Sequence, residues 1–497
     1  MPDFTNIAFC ARSESRLFLV ALAREIKRRH GSRIHLYCSG PQEVAYYNNL
    51  NDDGVFTSVV DGGILFERAF DADLNEDDVM ARARAFEELT GYTINRMVVS
   101  NRHFGRGYAL GGFYHPRSRY SEKVDYVHMV HAYCSCLEFW DREFSDKSIT
   151  LCINGSKEAA YVAHARKIPY RAIAGSRVKN LHYWSKNELS ETDAFERSWR
   201  SGSQFPDITM DAPYYTHQVN RKRFLKNFSL RALAHNWALT TARYLYWRLR
   251  GYQKAKVYYY AENMRFFWHV WRDYRELRRL SGARLSDLEG KKFVYFPMHV
   301  EPETALQGIS PEYFYQHALI AAVSRDLPAG YCLAVKEAYG AIGRRPANFY
   351  RQVADLKNVV FLDTWEVGFD CARKADAVVT ICGTAGLEAA VAGRPVIAFG
   401  RHNIYNFLPS VRVVEDECDL PEYLREALGD GHDPEQTQAD AKRLLQAIAD
   451  NSFDMGAYDY VNLKQFEAQS VEAACDKLEA SLGDEAKANR LAGAAAQ

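Results

Sequence analysis

The chain has 497 residues, 47% of them hydrophobic, with 63 basic and 63 acidic side chains. That length exceeds one ordinary core and predicts at least two domains, while the balanced charge excludes a partner selected by net charge alone. No stretch of about 18 uncharged apolar residues occurs, so no membrane-spanning helix is expected.

The first residues lack a basic segment followed by an apolar one, so no signal peptide is expected and the chain reads as cytoplasmic. Several of the ten scattered cysteines stand inside apolar runs (Cys10, Cys38, Cys152, Cys382), as small buried hydrophobes of a reducing compartment do. Residues 6–10 form a short apolar run, and 11–14 a polar loop. Apolar residues then recur at helical period through Leu17, Val20, Leu22 and Ile26, until Gly31 and Ser32 stop the helix. Residues 33–38 are a second apolar run, which completes a β-α-β unit. The alternation continues with a helix over 42–50, a strand over 55–60, a helix over 76–89 and a strand over 94–100. A long helix follows over 124–144, then a strand over 149–153, a helix over 157–167 and a strand over 170–174. Residues 183–220 are polar and irregular. From 221 to 280 there are 15 Lys and Arg against 3 Asp and Glu, with 15 aromatic residues interleaved.

Residues 281–292 read as a linker to a second series. Its strands are 293–296, 332–336, 359–362, 377–381 and 395–399, and its helices 311–325, 346–356, 366–375 and 384–392. Regular alternation predicts an α/β chain of two doubly wound, Rossmann-like sheets. The expected domains are 1–285, including the basic aromatic segment 221–280, and 293–430. Closing helices are expected over 434–482 and a mobile tail over 483–497.

Open parallel sheets bind ligands beyond the carboxyl ends of their strands. The sharpest such place is Cys382-Gly383-Thr384-Ala385, where an apolar strand meets a helix. Small residues there let a ligand approach the backbone, Thr384 is placed to cap the helix, and N–H groups at the helix start suit a phosphate. Glu388, one turn on, is placed to reach ribose hydroxyls. A plain strand-to-helix turn, with Glu388 complementing the helix dipole, accounts for the same residues without a ligand.

The turn is followed by Ala392-Gly393-Arg394-Pro395 and an apolar strand. Together with Tyr295-Phe296-Pro297-Met298-His299-Val300-Glu301-Pro302-Glu303 and Leu333-Ala334-Val335-Lys336-Glu337, this combination resembles the capsule and lipopolysaccharide polysaccharide biosynthesis glycosyltransferases of bacteria. Glu301 stands where that family has Gln, and Ala338-Tyr339 where many members have His-Pro. The resemblance covers about residues 293–415. It implies the two-domain GT-B architecture, with an interdomain cleft, and transfer of a sugar, with Kdo from CMP-Kdo preferred, onto a glycan or lipid-linked glycan. On this reading His299, Lys336, Glu337, Cys382, Gly383, Thr384, Ala385 and Glu388 hold the nucleotide sugar. No cofactor is expected, since the donor is itself the substrate, and no obligatory metal, since no acidic metal-binding motif occurs and protein groups are expected to neutralise the charge. A surface lysine at 336, a satisfied loop histidine at 299, and pairing of Glu303 with Arg344 or Arg345 are the structural alternatives.

In the first half, Asn101, Arg102, His103 and Arg106 follow an expected strand. Asn101, Arg102 and His103, with Glu303, are the catalytic candidates; Arg106, Arg177 and Asn180 are the acceptor-binding ones. Asp61 is an alternative carboxylate. His128, His131 and Cys134 drift round their helix and have no fourth ligand, so they are read as a buried helix face. For 221–280 the expectation is aromatics packed inside and basic residues in water, with a peripheral membrane surface next and nucleic acid last. The competing functions are a UDP-sugar-dependent glycosyltransferase, a sugar-nucleotide epimerase and a non-catalytic nucleotide-binding regulator.

Overall fold

The computed structural model describes residues 2–12, 15–62, 65–99, 101, 124–202, 208–251, 260–300, 305–313, 315–456 and 466–495. Two units emerge, each with its own sheet: the first from residues 1–97, 124–208 and 443–497, the second chiefly from 209–442. The α/β class with two parallel sheets is as the sequence predicts.

In the first unit, β1 (Asn6–Cys10), β2 (Arg33–Cys38), β3 (Ser58–Asp61), β4 (Leu151–Ile153) and β5 (Tyr170–Gly175) lie parallel in the order β3-β2-β1-β4-β5. Burial of all five β1 residues explains its continuous apolar run. The helix Arg16–His30 buries Phe18, Leu19, Leu22, Ala23 and Ile26 on one face. It ends at Gly31, whose φ of 65° favours glycine, after four basic residues that complement the dipole. Two antiparallel edge strands were not legible: β6 (Leu181–Ser185) pairs with β5, and Phe453–Asp454, the last strand in the chain, pairs with β6.

The second sheet contains β7 (Lys292–Pro297), β8 (Tyr331–Lys336), β9 (Val359–Leu362), β10 (Ala377–Thr380), β11 (Val396–Ala398) and β12 (Val411–Val413); Phe453–Asp454 is thus β13. All six strands of this sheet are parallel, in the order β9-β8-β7-β10-β11-β12. The order reverses direction between β7 and β10, which places the crevice for a ligand beyond their carboxyl ends. Val294, Phe296, Leu333, Val335 and Val379 point to one face and form the larger core. Tyr295, Ala334, Lys336, Val378 and Thr380 alternate to the other.

Four expectations change. Residues 94–99 form a helix, Ile94–Val99, not a strand: Ile94, Met97 and Val98, at i, i+3 and i+4, are its buried face. Segment 221–280 belongs to the second unit, not the first, because Phe228, Tyr274 and Leu277 enter that core and Phe228 stacks on Tyr274 at 4.2 Å. The C-terminal helix, Ala468–Ala495, returns to the first unit, where Val471, Ala474, Cys475 and Leu478 pack in the core with Phe18 and Leu22. Residues 483–495 continue that helix instead of forming a mobile tail, held by Arg171 to Glu485 (2.6 Å) and Arg197 to Asp484 (2.7 Å).

Candidate functional site

At the carboxyl ends of β7, β8 and β10 the second unit gathers every described residue that the sequence assigns to the nucleotide sugar. They divide by direction. His299, just past β7, is buried and turned inward: its Nε2 accepts the Cys382 N–H at 3.2 Å. The neutral ring therefore carries its proton on Nδ1. Gln316 locks the His299 backbone, since Oε1 accepts the His299 N–H (2.7 Å) and Nε2 donates to the His299 carbonyl (3.1 Å).

Glu337 is fully buried beside Arg345. Arg345 Nε and Nη2 donate to its two oxygens at 2.8 and 2.9 Å, and the same Nη2 donates to the His299 carbonyl at 2.7 Å. The Ala338 N–H also donates to Glu337, at 2.7 Å. The expectation that Glu337 touches the nucleotide sugar is thus corrected: its carboxylate is taken up by a bidentate pair and a backbone donor. It is a positioning residue that ties the end of β8 to the loop after β7. Arg345, weighed in sequence as a partner of Glu303, pairs with Glu337; Glu303 lies outside the described residues.

The turn after β10 is similarly built. Cys382 is buried and its N–H is spent on His299, so it offers a ligand neither side chain nor donor. The Gly383 N–H donates to Thr380 Oγ1 at 3.3 Å. A Cβ on Gly383 would stand 2.9 Å from Thr380 Oγ1 and 3.1 Å from His299 Nε2, so the close packing there requires glycine. Gly383 is itself the N-cap of the helix Thr384–Val391, and Thr384 is its first residue, not the cap. Ala385 is buried, whereas Gly383 and Thr384 stay half-buried. The free donors are those of the first helical turn, which have no intrahelical acceptor.

Two charged side chains remain turned outward. Lys336, at the end of β8, and Glu388, one turn into the helix, are both half-buried. They do not form a salt bridge, and neither has a hydrogen-bond partner among the described residues. Burial pushes the Glu388 carboxyl up to about 7, against the pull of Lys336. Burial likewise lowers Lys336 below its ordinary value, opposed by Cys371, Glu337, Glu388 and Glu366. Tyr295, on the same side of the sheet as Lys336, is buried, and burial raises its phenol well above the ordinary range, with Glu388 adding to it. Such a pair, poised without direct partners, can take up a phosphate at Lys336 and hydroxyls at Glu388.

The remaining assignments are less concentrated. Arg102, His103, Arg106 and Glu303 lie outside the described residues. Asn101 follows the end of helix Ile94–Val99, its N–H donating to the Val98 carbonyl at 2.8 Å, so it does not follow a strand. Arg177, at a φ of 69°, and Asn180 occupy the hairpin turn between β5 and β6. The Asn180 carbonyl accepts from His182 Nδ1 at 2.7 Å. Asp61 Oδ1 accepts the Gly40 N–H at 2.8 Å. His131 bridges Asp71 (2.9 Å) and Arg82 (2.6 Å), and His128 bonds Asp125 (2.8 Å). Sequence reading missed Gln316 and Tyr405, whose hydroxyl donates to the Gly383 carbonyl at 2.8 Å, and gave Tyr295 and Arg345 no role in shaping this site. The one usable signal was Gly386. Its absent side chain leaves the room that Tyr405 fills, a Cβ there lying 2.4 Å from the hydroxyl oxygen.

No family model matches the chain, and no curated protein matches it. Among solved structures it is similar to KpsC of Thermosulfurimonas dismutans, a beta Kdo 2,4 transferase, at 14% identity and a TM-score of 0.30, covering 56% of this chain and 80% of that one. It is similar to the calicheamicin glycosyltransferase CalG4 at 13% identity and a TM-score of 0.29, covering 97% and 99%. It is also similar to UDP-GlcNAc 2-epimerase of Methanocaldococcus jannaschii at 8% identity and a TM-score of 0.26, covering 90% and 99%. At these scores the likenesses decide neither reaction nor substrate, and the residues of the site carry the reading.

Proposed function

We propose that this chain is a glycosyltransferase of the GT-B type whose second unit binds a nucleotide-sugar donor at the β7–β10 switch point. Lys336 and the first-turn N–H groups after Gly383 meet the phosphate, and Glu388 the ribose hydroxyls. His299, Glu337 and Cys382 shape the turn. Protein donors neutralise the leaving phosphate, so the transfer needs no metal of its own. The preferred donor is CMP-Kdo, the acceptor a glycan or lipid-linked glycan of a bacterial surface polysaccharide. Asn101, Arg102, His103 and Glu303 are assigned to the reacting centre, and Arg106, Arg177 and Asn180 to the acceptor.

The observation that carries the reading is the Lys336–Glu388 pair: two opposite charges held half-buried at a sheet's switch point without a bond to each other or to another described group. A thermal-shift screen of CMP, UDP, GDP and their sugars tests it, because a ligand that binds only the folded chain raises the melting temperature. CMP is expected to give the largest shift, and Lys336→Met to abolish it. A preference for UDP overturns the Kdo assignment. Absence of a shift with every nucleotide overturns the donor site. Epimerisation of a donor without any acceptor places the chain among epimerases instead.

A further inference from the structure

From Ala212 to Ala261 the sequence contains no Asp or Glu, yet the eight Lys and Arg between 221 and 250 are all exposed. None of the eight forms an ion pair with a described residue. The helix Leu230–Leu249 lies at the centre of this stretch, capped by Ser229, whose hydroxyl accepts the Ala232 N–H. One of its faces is committed to the helix Tyr260–Leu280. Leu233 and Thr240 are buried, Trp237 Nε1 donates to the Met264 carbonyl at 3.0 Å, and the Tyr244 and Tyr260 rings stack at 5.1 Å.

A second face, roughly a third of a turn round the helix, is apolar and uncovered. Leu230, Ala234, Ala238, Ala242, Leu245 and Leu249 follow one another at steps of three or four, and all are exposed, Leu249 to 87%. A helix on the surface of an ordinary soluble domain carries polar residues there. Arg231 and Arg248 adjoin the stripe at helical spacing, Tyr246 lies at its margin, and Arg243 and Arg250 stand further round the helix beside Tyr246. So Phe228, Trp237 and Tyr274 pack inward, as the plain reading of this segment has it, whereas Tyr246, Trp268 and the leucines of the stripe are exposed.

We propose that Leu230–Leu249 seats the protein on an anionic bilayer, with its leucine stripe in the acyl boundary and its arginines among the headgroups. Two observations favour lipid over other occupants. A second copy of this face would set uncompensated positive charges against one another. A bilayer, by contrast, offers both an apolar interior and diffuse negative charge, the pair of properties an interfacial helix matches. None of the described helices is long and apolar enough to cross a membrane, so this one lies in the interface plane. The inference is independent of which nucleotide the second unit holds.

The test is cosedimentation of the full chain with vesicles of phosphatidylcholine alone or mixed with phosphatidylglycerol, at low and high salt. Binding is expected to the mixed vesicles at low salt, and to weaken with salt as the charges are screened. Each basic residue near such a surface contributes about fivefold, so Arg243→Glu/Arg248→Glu/Arg250→Glu should weaken partition by at least about 100-fold. Leu245→Glu/Leu249→Glu should also abolish binding, with circular dichroism and nucleotide thermal shift unchanged, because both leucines are exposed. No binding at low salt overturns the proposal, as does binding that both variants retain. A dimer that Leu245→Glu/Leu249→Glu dissociates, without vesicle binding by the wild type, assigns the face to self-association and likewise overturns it.

Discussion

Replacement of Glu388 by Gln separates what this residue does for stability from what it does for ligand. The carboxyl rises from its ordinary 4.5 to about 7 because burial disfavours its charge. Near pH 4.5 and below, it is largely protonated in both the folded and the unfolded chain, and the folded state bears little cost. Above about 7 it is ionised in both, and the folded state bears the whole cost, on the order of 3 kcal/mol for such a rise. Gln has the same shape and no charge, but it forgoes the attraction of Lys336. E388Q is therefore expected to stabilise the fold by about 1–3 kcal/mol at pH 8, with the gain shrinking as pH falls from about 7 towards 4.5. Urea unfolding of both proteins across that range measures it. In the same samples E388Q should lose the nucleotide-induced thermal shift, because a neutral amide is a weaker acceptor for ribose hydroxyls. Destabilisation of similar size at every pH would refute the reasoning, since it would mean that the carboxylate serves the fold and not the ligand.

Lys336→Met should weaken nucleotide binding by about 10- to 100-fold, the range for a hydrogen bond to a charged group, as read by calorimetric titration. In the wild type, affinity for the nucleotide should fall as pH rises through the lowered lysine pKa, below 10.5, where the ammonium is lost; affinity flat across that range would count against the phosphate contact. Arg345→Met leaves Glu337 buried without its partner and should cost about 3–5 kcal/mol in urea unfolding, while adding Glu337→Gln should recover part of it. A loss under about 1 kcal/mol would show that the pair does not clamp the loops. Gly386→Ala drives a Cβ to within 2.4 Å of the Tyr405 hydroxyl oxygen and should cost about 1–3 kcal/mol by overpacking; unchanged unfolding would place Tyr405 elsewhere.

The second unit was more legible in sequence than the first, for a physical reason. Its central strands are buried on both faces, so Phe293 to Phe296 and Ala377 to Thr380 read as nearly uninterrupted apolar runs, and the crossovers from β7 through β11 each contain a helix. The first unit ends in antiparallel edge strands of mixed character. β6 is Leu-His-Tyr-Trp-Ser, and β13 is two residues long and comes from the far end of the chain. No local period announces a strand completed at that distance. Residues 94–99 were misread because so short an apolar run fits either period; only burial of Ile94, Met97 and Val98 decides for a helix.

The site shows a second limit, one of direction. Post-strand position ranked His299, Lys336, Glu337, Cys382 and Glu388 together, and the sheet order does bring them to one end of the second unit. Position along the chain does not say which way a side chain turns. Adjacent residues Lys336 and Glu337 leave the same strand on opposite faces: one stays beside Tyr295 and Glu388, while the other turns into the protein to meet Arg345. That division makes the turn usable. Glu337 and Arg345 fix the His299 carbonyl, His299 fixes the Cys382 N–H, and Tyr405 fixes the Gly383 carbonyl. With those backbone groups immobilised, the next N–H groups and the two outward charges are held in place before any ligand arrives. Preorganised donors need little reorganisation on binding, and binding sites gain affinity from that condition. The inward residues thus act through the turn they hold. Their substitution should cost stability and affinity together, whereas substitution of Lys336 or Glu388 should trade one against the other.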